Sequence, residues 1–335
     1  MSSSLEEYYS LYTNPLTVIR FYQIGYTFTF ILGFLGNTAS LLTFSRPTLR
    51  KVSTGCLFII LAIFDTLYLL MCVFDYLEFG FKVPFYPHIA YSEFCRFRYF
   101  VMDVSQVASA WILVIIAIDR WIRTQFPFKS GSICTPKNAL IAVIILLVID
   151  IGLHSHMLTP MFGIDIPGLA YGSCGPNYFT DKPYFLFYYI QWSMIQIFTT
   201  CVGPVSFMLM TLIAIFINIY LRKRAIIQPT QTIHGNQNMI RQKQMHKQML
   251  ILMFAILYIQ PVVIDITIIW TALGWIQSLN YAINFYIHCL TSTLFRTEFK
   301  LLMKNIFRKN QMRVTVIGNL KHNTHAQMID PLAKK

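Results

Sequence analysis

The sequence has few charged residues for its length. Asp, Glu, Lys and Arg together make up 12% of 335 residues, whereas a soluble globular domain carries about 25%. With half the usual charge, a water-exposed surface of this size could not be covered. A soluble protein is therefore excluded. Lipid must be the solvent for much of the chain, because 56% of the residues are apolar and the mean hydropathy is +0.54.

The N-terminal segment lacks basic residues. No Lys or Arg precedes Arg20, and there is no pattern typical of a cleavable signal peptide. We therefore expect the first apolar helix to act as an uncleaved signal anchor. The net charge of +13 does not indicate nucleic-acid binding, because the basic residues form short clusters between apolar runs. Such clusters mark the cytoplasmic side of a membrane protein.

Apolar runs of about 20 residues, the length that crosses a bilayer, recur along the chain. They lie at 21–44, 55–76, 97–122, 138–159, 184–221, 248–269 and 272–293. The last two leave room only for a tight turn around Ala272 and Gly274. The sequence thus predicts an all-α membrane protein with a seven-helix transmembrane bundle, and six crossings are the alternative.

The distribution of Lys and Arg predicts the orientation of the bundle. With the N-terminus outside, the outer segments hold five of the 27 basic residues, and the inner segments hold the others. The opposite orientation would place most positive charge outside, against the positive-inside rule. We expect a multi-pass protein of the plasma membrane with its N-terminus outside and its C-terminus in the cytoplasm.

The bundle is flanked by segments of different character. Residues 1–20 are expected to be an extracellular N-terminus, 21–293 the transmembrane bundle and 310–335 a disordered cytoplasmic tail. Between bundle and tail, residues 294–309 carry apolar side chains at helical spacing, with basic ones on the other faces. This pattern predicts a short amphipathic helix on the inner membrane surface, and an ordinary tail is the alternative.

Polar side chains occur within the apolar runs, where they are costly and often functional. Asp65 lies near the middle of the second run, and its candidate partners on other helices are Asn37, Ser109, Asn280 and Asn284. The two later asparagines are four residues apart and share one helix face. The cluster is either a site for a cation such as sodium or a neutral structural hydrogen-bond network, and we favour the cation.

Four short motifs follow one another along the predicted helices. They are Gly36-Asn37, LAIFD ending at Asp65, DRW at 119–121 and NFYIH at 284–288. In this order they resemble the GN, LAxxD, DRY and NPxxY motifs of rhodopsin-like G-protein-coupled receptors. The STGC segment and the run LNYAINFYIHCLTSTLFRTEF most resemble invertebrate FMRFamide-type neuropeptide receptors. Phe285 and His288 depart from the family pattern, where Pro and Tyr are usual.

The resemblance implies roles for individual residues. Arg120 would be held by Asp119 at rest and would be released on activation to contact a heterotrimeric G protein. The residues implied in coupling are Asp119, Arg120, Trp121, Pro127 and Phe128. The sodium site implied by the resemblance consists of Asp65, Ser109, Asn280 and Asn284. No other cofactor and no structural metal is expected.

The resemblance also implies a disulfide. Cys95, near the outer end of the third helix, and Cys174, between the fourth and fifth, match the paired cysteines of the family. Both lie on the oxidising side of the predicted topology. The bridge would tie the second outer loop over the mouth of the bundle and would stabilise the fold by roughly 2–4 kcal/mol.

Four acids lie in the outer halves of the helices or close to them. They are Asp75, Glu78, Asp103 and Asp265. An acidic mouth would favour a cationic ligand, such as a peptide with Arg or an amidated C-terminus. The alternative is a set of scattered acids that are protonated or locally paired, with Arg96 and Arg98 near enough to neutralise some.

The function expected is that of a receptor, not of an enzyme, that binds an extracellular ligand, most simply a neuropeptide. Receptors for amines or other small molecules are the alternative, but Asp103 falls one residue late for the aspartate that holds amines. A transporter would explain the intramembrane acids, but the sequence shows no inverted repeat. A membrane enzyme would have only Asp150, His154 and His156 as candidate metal ligands.

Overall fold

The structure, a computed structural model, describes part of the chain, including most of the predicted helices. The described residues are 16–81, 83, 91–164, 174–176, 181–226, 266–292 and 295–305. Within them, five helices are long and apolar enough to cross a membrane. They correspond to the first five predicted crossings, and they are called α1 to α5 below.

The helices have the following bounds. α1 consists of Leu16–Arg20, a π-helical segment Phe21–Tyr26 and Thr27–Phe44, and α2 consists of Ser53–Asp75 followed by a π-helical segment Tyr76–Gly80. α3 is the single helix Tyr91–Gln125, and α4 is Pro136–His154 with a 3₁₀ turn Ser155–Leu158. α5 consists of Lys182–Leu186, π-helical Phe187–Trp192, Ser193–Ile197, π-helical Phe198–Val202 and Gly203–Ile226. α6 is Ile266–Thr291, and helical turns Pro47–Arg50 and Ser130–Ile133 lie in the connections before α2 and α4.

Local capping sets the start of two helices. At α4, the Thr135 side chain accepts a hydrogen bond from the backbone N–H of Asn138, and Pro136 occupies the first turn. At α5, the Asp181 side chain accepts from the N–H of Tyr184. Such caps satisfy N–H groups that have no partner inside the helix, which matters most at the edge of a membrane.

The predicted turn at Gly274 is wrong. Helix α6 runs unbroken from Ile266 to Thr291 and passes through Ala272 and Gly274. Neither residue forces a turn, because alanine is the best helix former and glycine in a helix costs only about 1 kcal/mol. Packing of α6 against α1 and α2 compensates for that cost. The predicted sixth crossing at 248–269 lies almost entirely outside the described residues.

Helix α3 is the centre of the bundle. In the apolar segment of α3, 67% of the residues are buried, compared with 22% in the apolar segment of α4. Helix α3 packs against α2, α4 and α5. Apolar side chains from these helices form one buried cluster around Ile112 and Leu57. The exposed faces of α4 and α5 carry residues such as Val148 and Met194, as expected where lipid is the solvent.

A short antiparallel sheet packs against α3 at one end of the bundle. Strand β1, Phe162–Ile164, pairs antiparallel with β2, Cys174–Pro176. Cys174 is disulfide-bonded to Cys95 near the start of α3, with a Cα–Cα distance of 5.8 Å, which confirms the predicted bridge. We call this end of the bundle the disulfide end, and the opposite end of α3 the Arg120 end.

A separate unit of the chain begins at Ser292. Its residues 295–305 form a helix, α7, within the segment 294–309 predicted to be amphipathic. The hydroxyl of Ser292 accepts a hydrogen bond from the backbone N–H of Phe295 at 3.2 Å and so caps the helix. The rings of Phe295 and Phe299 stack with their centroids 6.4 Å apart. A location on the membrane surface stays a prediction.

Candidate functional site

Asp65 lies at the middle of the bundle, and its side chain is fully buried. Its two carboxylate oxygens accept different hydrogen bonds. Ser109 of α3 donates to Oδ1 at 2.6 Å, and Asn284 of α6 donates to Oδ2 at 2.7 Å. The structure therefore brings three of the four predicted sodium-site residues together, from three helices. Such satisfied polar clusters are what makes a buried carboxylate tolerable.

The two other asparagines near Asp65 have different positions. Asn37 of α1 donates to the backbone oxygen of Tyr281 at 3.2 Å, which ties α1 to α6. Its side chain also lines a narrow cavity beside Asp65 and Asn284. Asn280 is half-buried and, among the described residues, makes no hydrogen bond to Asp65. The sequence named both Asn37 and Asn280 as candidate partners of Asp65, and the structure places Asn37 on the wall of the cavity.

At the Arg120 end, the Asp119 carboxylate joins three parts of the chain. Ser53 and Thr54, at the start of α2, donate their hydroxyls to its Oδ1 and Oδ2 at 2.6 and 2.9 Å. The guanidinium of Arg123 donates to Oδ2 at 2.9 Å from one turn further along α3. Arg120 is half-buried beside this network.

Sequence reasoning missed three partners of Asp119, namely Ser53, Thr54 and Arg123. A signal for the last one was available, because Asp119 and Arg123 are four residues apart on one helix, the spacing at which opposite charges meet. No comparable local signal exists for the two hydroxyl groups, since they come from another helix.

The loop after α3 exposes the predicted coupling residues. Pro127 is exposed, and the side chain of Phe128 is 100% exposed. Trp121 is half-buried and lies edge-on to Phe126, with ring centroids 6.2 Å apart. The structure thus exposes Pro127 and Phe128, and their role in coupling stays a prediction.

At the disulfide end, one of the predicted ligand-binding acids is already paired. Arg98 of α3 forms a salt bridge with Asp75 at the end of α2. The Arg98 side chain is 2% exposed and that of Asp75 is 18% exposed. The guanidinium also lies over the ring of Tyr99, 5.0 Å from its centroid. The negative charge of Asp75 is therefore largely compensated within the bundle.

The remaining acids of the predicted mouth also differ in position. Asp103 is 3% exposed, and its Oδ2 accepts a hydrogen bond from Gln196 of α5 at 3.1 Å. Glu78 is half-buried in the π-helical end of α2. Asp265 lies outside the described residues. The structure thus links Asp103 to α5 instead of placing it open to a ligand.

With the geometry known, the sequence can be compared with known proteins. Residues 36–300 match the family of 7 transmembrane receptors (rhodopsin family). The chain belongs to this family. The matched region contains the Asp65 cluster, the Asp119 network and the disulfide. The features predicted from the resemblance therefore all lie within the part of the chain that matches the family.

Several neuropeptide receptors are similar to part of this receptor. The galanin receptor 2b of Danio rerio is 26% identical over 137 residues, 40% of this chain and 34% of that protein. The allatostatin-A receptor of Bombyx mori is 30% identical over 126 residues, which are 38% of this chain and 34% of that protein. An FMRFamide peptide receptor of Caenorhabditis elegans is 28% identical over 123 residues, which are 35% of this chain and 28% of that protein. The matched stretch spans about a third of the length of these relatives.

The receptor has a second buried polar cluster, between α4 and α5. Nδ1 of His154 lies 2.9 Å from the carboxylate Oδ1 of Asp150 and 2.9 Å from the backbone oxygen of the same residue. His156 is 2.9 Å from the hydroxyl of Tyr184. Trp192 packs edge-on to both imidazoles, 5.1 and 4.3 Å between centroids. In the described part of the receptor, no three His, Cys, Asp or Glu side chains form a group that could hold a metal ion.

Proposed function

We propose that the receptor binds an extracellular peptide at the disulfide end and activates a heterotrimeric G protein at the Arg120 end. The observation that carries the proposal is the single helix α3, Tyr91–Gln125. It bears the disulfide that fixes the two-stranded sheet near its start and the Asp119 network near its end. One central helix thus connects the disulfide end with the predicted coupling surface.

The orientation follows from charge. The disulfide requires an oxidising compartment, and the basic residues concentrate on the side of the Arg120 end. Both features support an extracellular disulfide end and a cytoplasmic Arg120 end, with the receptor in the plasma membrane.

A peptide ligand is supported by the relatives named above. These relatives are receptors for galanin, allatostatin-A and FMRFamide peptides by their names.

The position of Asp103 argues against an amine as the ligand. A ligand ammonium needs a carboxylate that is open to the pocket, whereas Asp103 is 3% exposed and hydrogen-bonded to Gln196. The pairing of Asp75 with Arg98 removes a further free charge from the mouth. Recognition of a lone cation therefore does not fit the site.

The Asp65 cluster is the proposed sodium site. Its donor set fits a hard cation, because the Asp65 carboxylate and the Ser109 hydroxyl supply oxygen atoms and the Asn284 amide has an oxygen in addition to its donating nitrogen. A bound sodium ion would compensate the buried charge. The protein's own contribution is to hold the three side chains from α2, α3 and α6 together.

The test is peptide-dependent signalling through a G protein. The full-length receptor is expressed in cells and exposed to synthetic galanin, allatostatin-A and FMRFamide-type peptides, with calcium and cAMP as readouts. We expect at least one peptide class to elicit a response, and we expect Arg120→Ala to abolish it without lowering surface expression. Solute flux that survives Arg120→Ala, in the absence of any exchange on a G protein, would show a transporter instead.

A further inference from the structure

We propose that Arg123 is a positioning residue that restrains the loop between α3 and α4 and so lowers ligand-independent activation of the G protein. The inference rests on the proposed function and extends it to a residue outside the coupling motif. It starts from the contacts of one guanidinium group.

Arg123 connects three parts of the chain. Its Nε donates to the Asp119 carboxylate at 2.9 Å. One terminal nitrogen donates to the hydroxyl of Ser53 at 2.7 Å and to the backbone oxygen of Cys134 at 3.0 Å. The planar guanidinium is suited to such a role, because its donors form a rigid fork that reaches several acceptors at once.

The acceptors on α2 and α3 form a buried platform for Arg123. Ser53 is fully buried, Thr54 is 3% exposed and Asp119 is 7% exposed. Ser53 donates to the same carboxylate that Arg123 contacts, so the three groups close a ring of hydrogen bonds. A ring of this kind has one arrangement that satisfies all members, and it therefore fixes its parts relative to one another.

The contact to Cys134 extends the restraint to the loop. Cys134 precedes the capping residue of α4, and its thiol also donates to the backbone oxygen of Asp119 at 3.7 Å. Both ends of the loop are thus held at the end of α3. Phe128, the fully exposed residue of the predicted coupling surface, lies between these ends.

The expected function of this arrangement is to stabilise one state of a two-state equilibrium. If the loop has to move when a G protein binds, contacts that exist only in the restrained state shift the population away from the coupled state. Hydrogen bonds that involve a charged group shift an equilibrium by about tenfold. The Arg123 side chain is 32% exposed, and solvent weakens its hydrogen bonds. We therefore expect the loss of Arg123 to shift the equilibrium by only roughly three- to tenfold.

The experiment uses the full-length receptor in membranes, with two independent readouts. In a background in which Cys56, Cys72, Cys201 and Cys289 are replaced by alanine, Cys134 is the remaining free cysteine. Burial raises the pKa of the Cys134 thiol, and the Arg123 charge lowers it in part. The rate of alkylation by a maleimide is therefore measured across pH and expressed per thiolate; that rate reports how firmly the loop is held. Nucleotide exchange on added G protein in the absence of peptide reports ligand-independent activation.

Arg123→Gln is expected to raise both rates by roughly three- to tenfold, and Arg123→Lys to have an intermediate effect because lysine keeps the charge but not the fork. Lys129→Gln is the matched control, since it removes the same charge from an exposed position of the same loop. If Arg123→Gln expresses poorly, Ser53→Ala removes one acceptor and should act in the same direction with a smaller effect.

Equal rates for Arg123→Gln and Lys129→Gln in both readouts would overturn the proposal. Faster alkylation in Arg123→Gln, with no exchange by any variant with or without peptide, would support the restraint of the loop and contradict the proposed coupling to a G protein. The two claims can therefore fail separately.

Discussion

The salt bridge between Arg98 and Asp75 gives a quantitative prediction for the disulfide end. Replacing Arg98 by methionine keeps the length and apolar character of the side chain but removes the charge. The carboxylate of Asp75 then stays in an apolar environment without its partner. Breaking a buried pair in this way costs about 3–5 kcal/mol, and the 18% exposure of Asp75 favours the lower value. Loss of the contact with the Tyr99 ring adds about 0.5–1 kcal/mol.

The assay is thermal unfolding of the purified receptor in one detergent, followed by tryptophan fluorescence at one scan rate, since membrane proteins often unfold irreversibly. We expect Arg98→Met to lower the apparent midpoint markedly. The double variant Arg98→Met/Asp75→Leu should recover most of the loss, because it removes both charges. Arg96→Met is the control. Arg96 donates to the backbone oxygen of Phe162 at 2.6 Å from a half-buried position, and its loss should cost only about 1–2 kcal/mol.

Two results would refute this reasoning. If Arg98→Met is no less stable than Arg96→Met, the pair does not compensate a buried charge. If the double variant is no more stable than Arg98→Met alone, the loss arises from packing and not from the unpaired carboxylate.

Three further predictions concern other parts of the receptor. Gly55→Ala places a Cβ against the backbone oxygen of Leu49 and should destabilise the receptor by about 1–3 kcal/mol. Gly152→Ala, which meets no atom within 4 Å, should be neutral or stabilising by about 0.5–1 kcal/mol. Equal unfolding midpoints of the two variants in the same thermal assay would contradict the packing at Gly55. Asn284→Ala should reduce the increase in thermal stability that NaCl gives over choline chloride, whereas Asn280→Ala should preserve it; the reverse order would rule out the cluster as the sodium site. Burial, together with the negative charge of the Asp119 carboxylate, raises the pKa of the Cys134 thiol to about 11. The thiol is therefore protonated at neutral pH, and its alkylation rate should rise about tenfold per pH unit up to pH 9 and beyond. A plateau of the rate at lower pH would show an ordinary thiol.

Much of the fold could be predicted from the sequence because lipid imposes a simple rule. A segment that crosses the hydrocarbon must be helical, long and apolar, and α1 to α5 meet these conditions unmistakably. The turn at Gly274 was predicted from the length available for two crossings, and length alone does not say where a helix ends. Packing of α6 against α1 and α2 stabilises a helix that continues through Gly274, and no local pattern reports such packing.

The site was predictable where each residue has a position in the motif of the family. Asp65, Ser109 and Asn284 meet as expected, and Cys95 pairs with Cys174. Partners that depend on how two helices are rotated against each other were not predictable individually. The sequence suggested only that Arg98 lies near the acids of the mouth, and it gave no indication that Gln196 reaches Asp103.

The central claim is that peptide binding at one end of the bundle promotes nucleotide exchange at the other. It is tested most directly by measuring GTP binding to purified heterotrimeric G protein with the wild-type receptor and Arg120→Ala, with and without peptides of the galanin, allatostatin-A and FMRFamide types. We expect peptide-dependent exchange with the wild-type receptor and none with Arg120→Ala. Exchange that is independent of Arg120, or a well-folded receptor that promotes none with any peptide, would contradict the account.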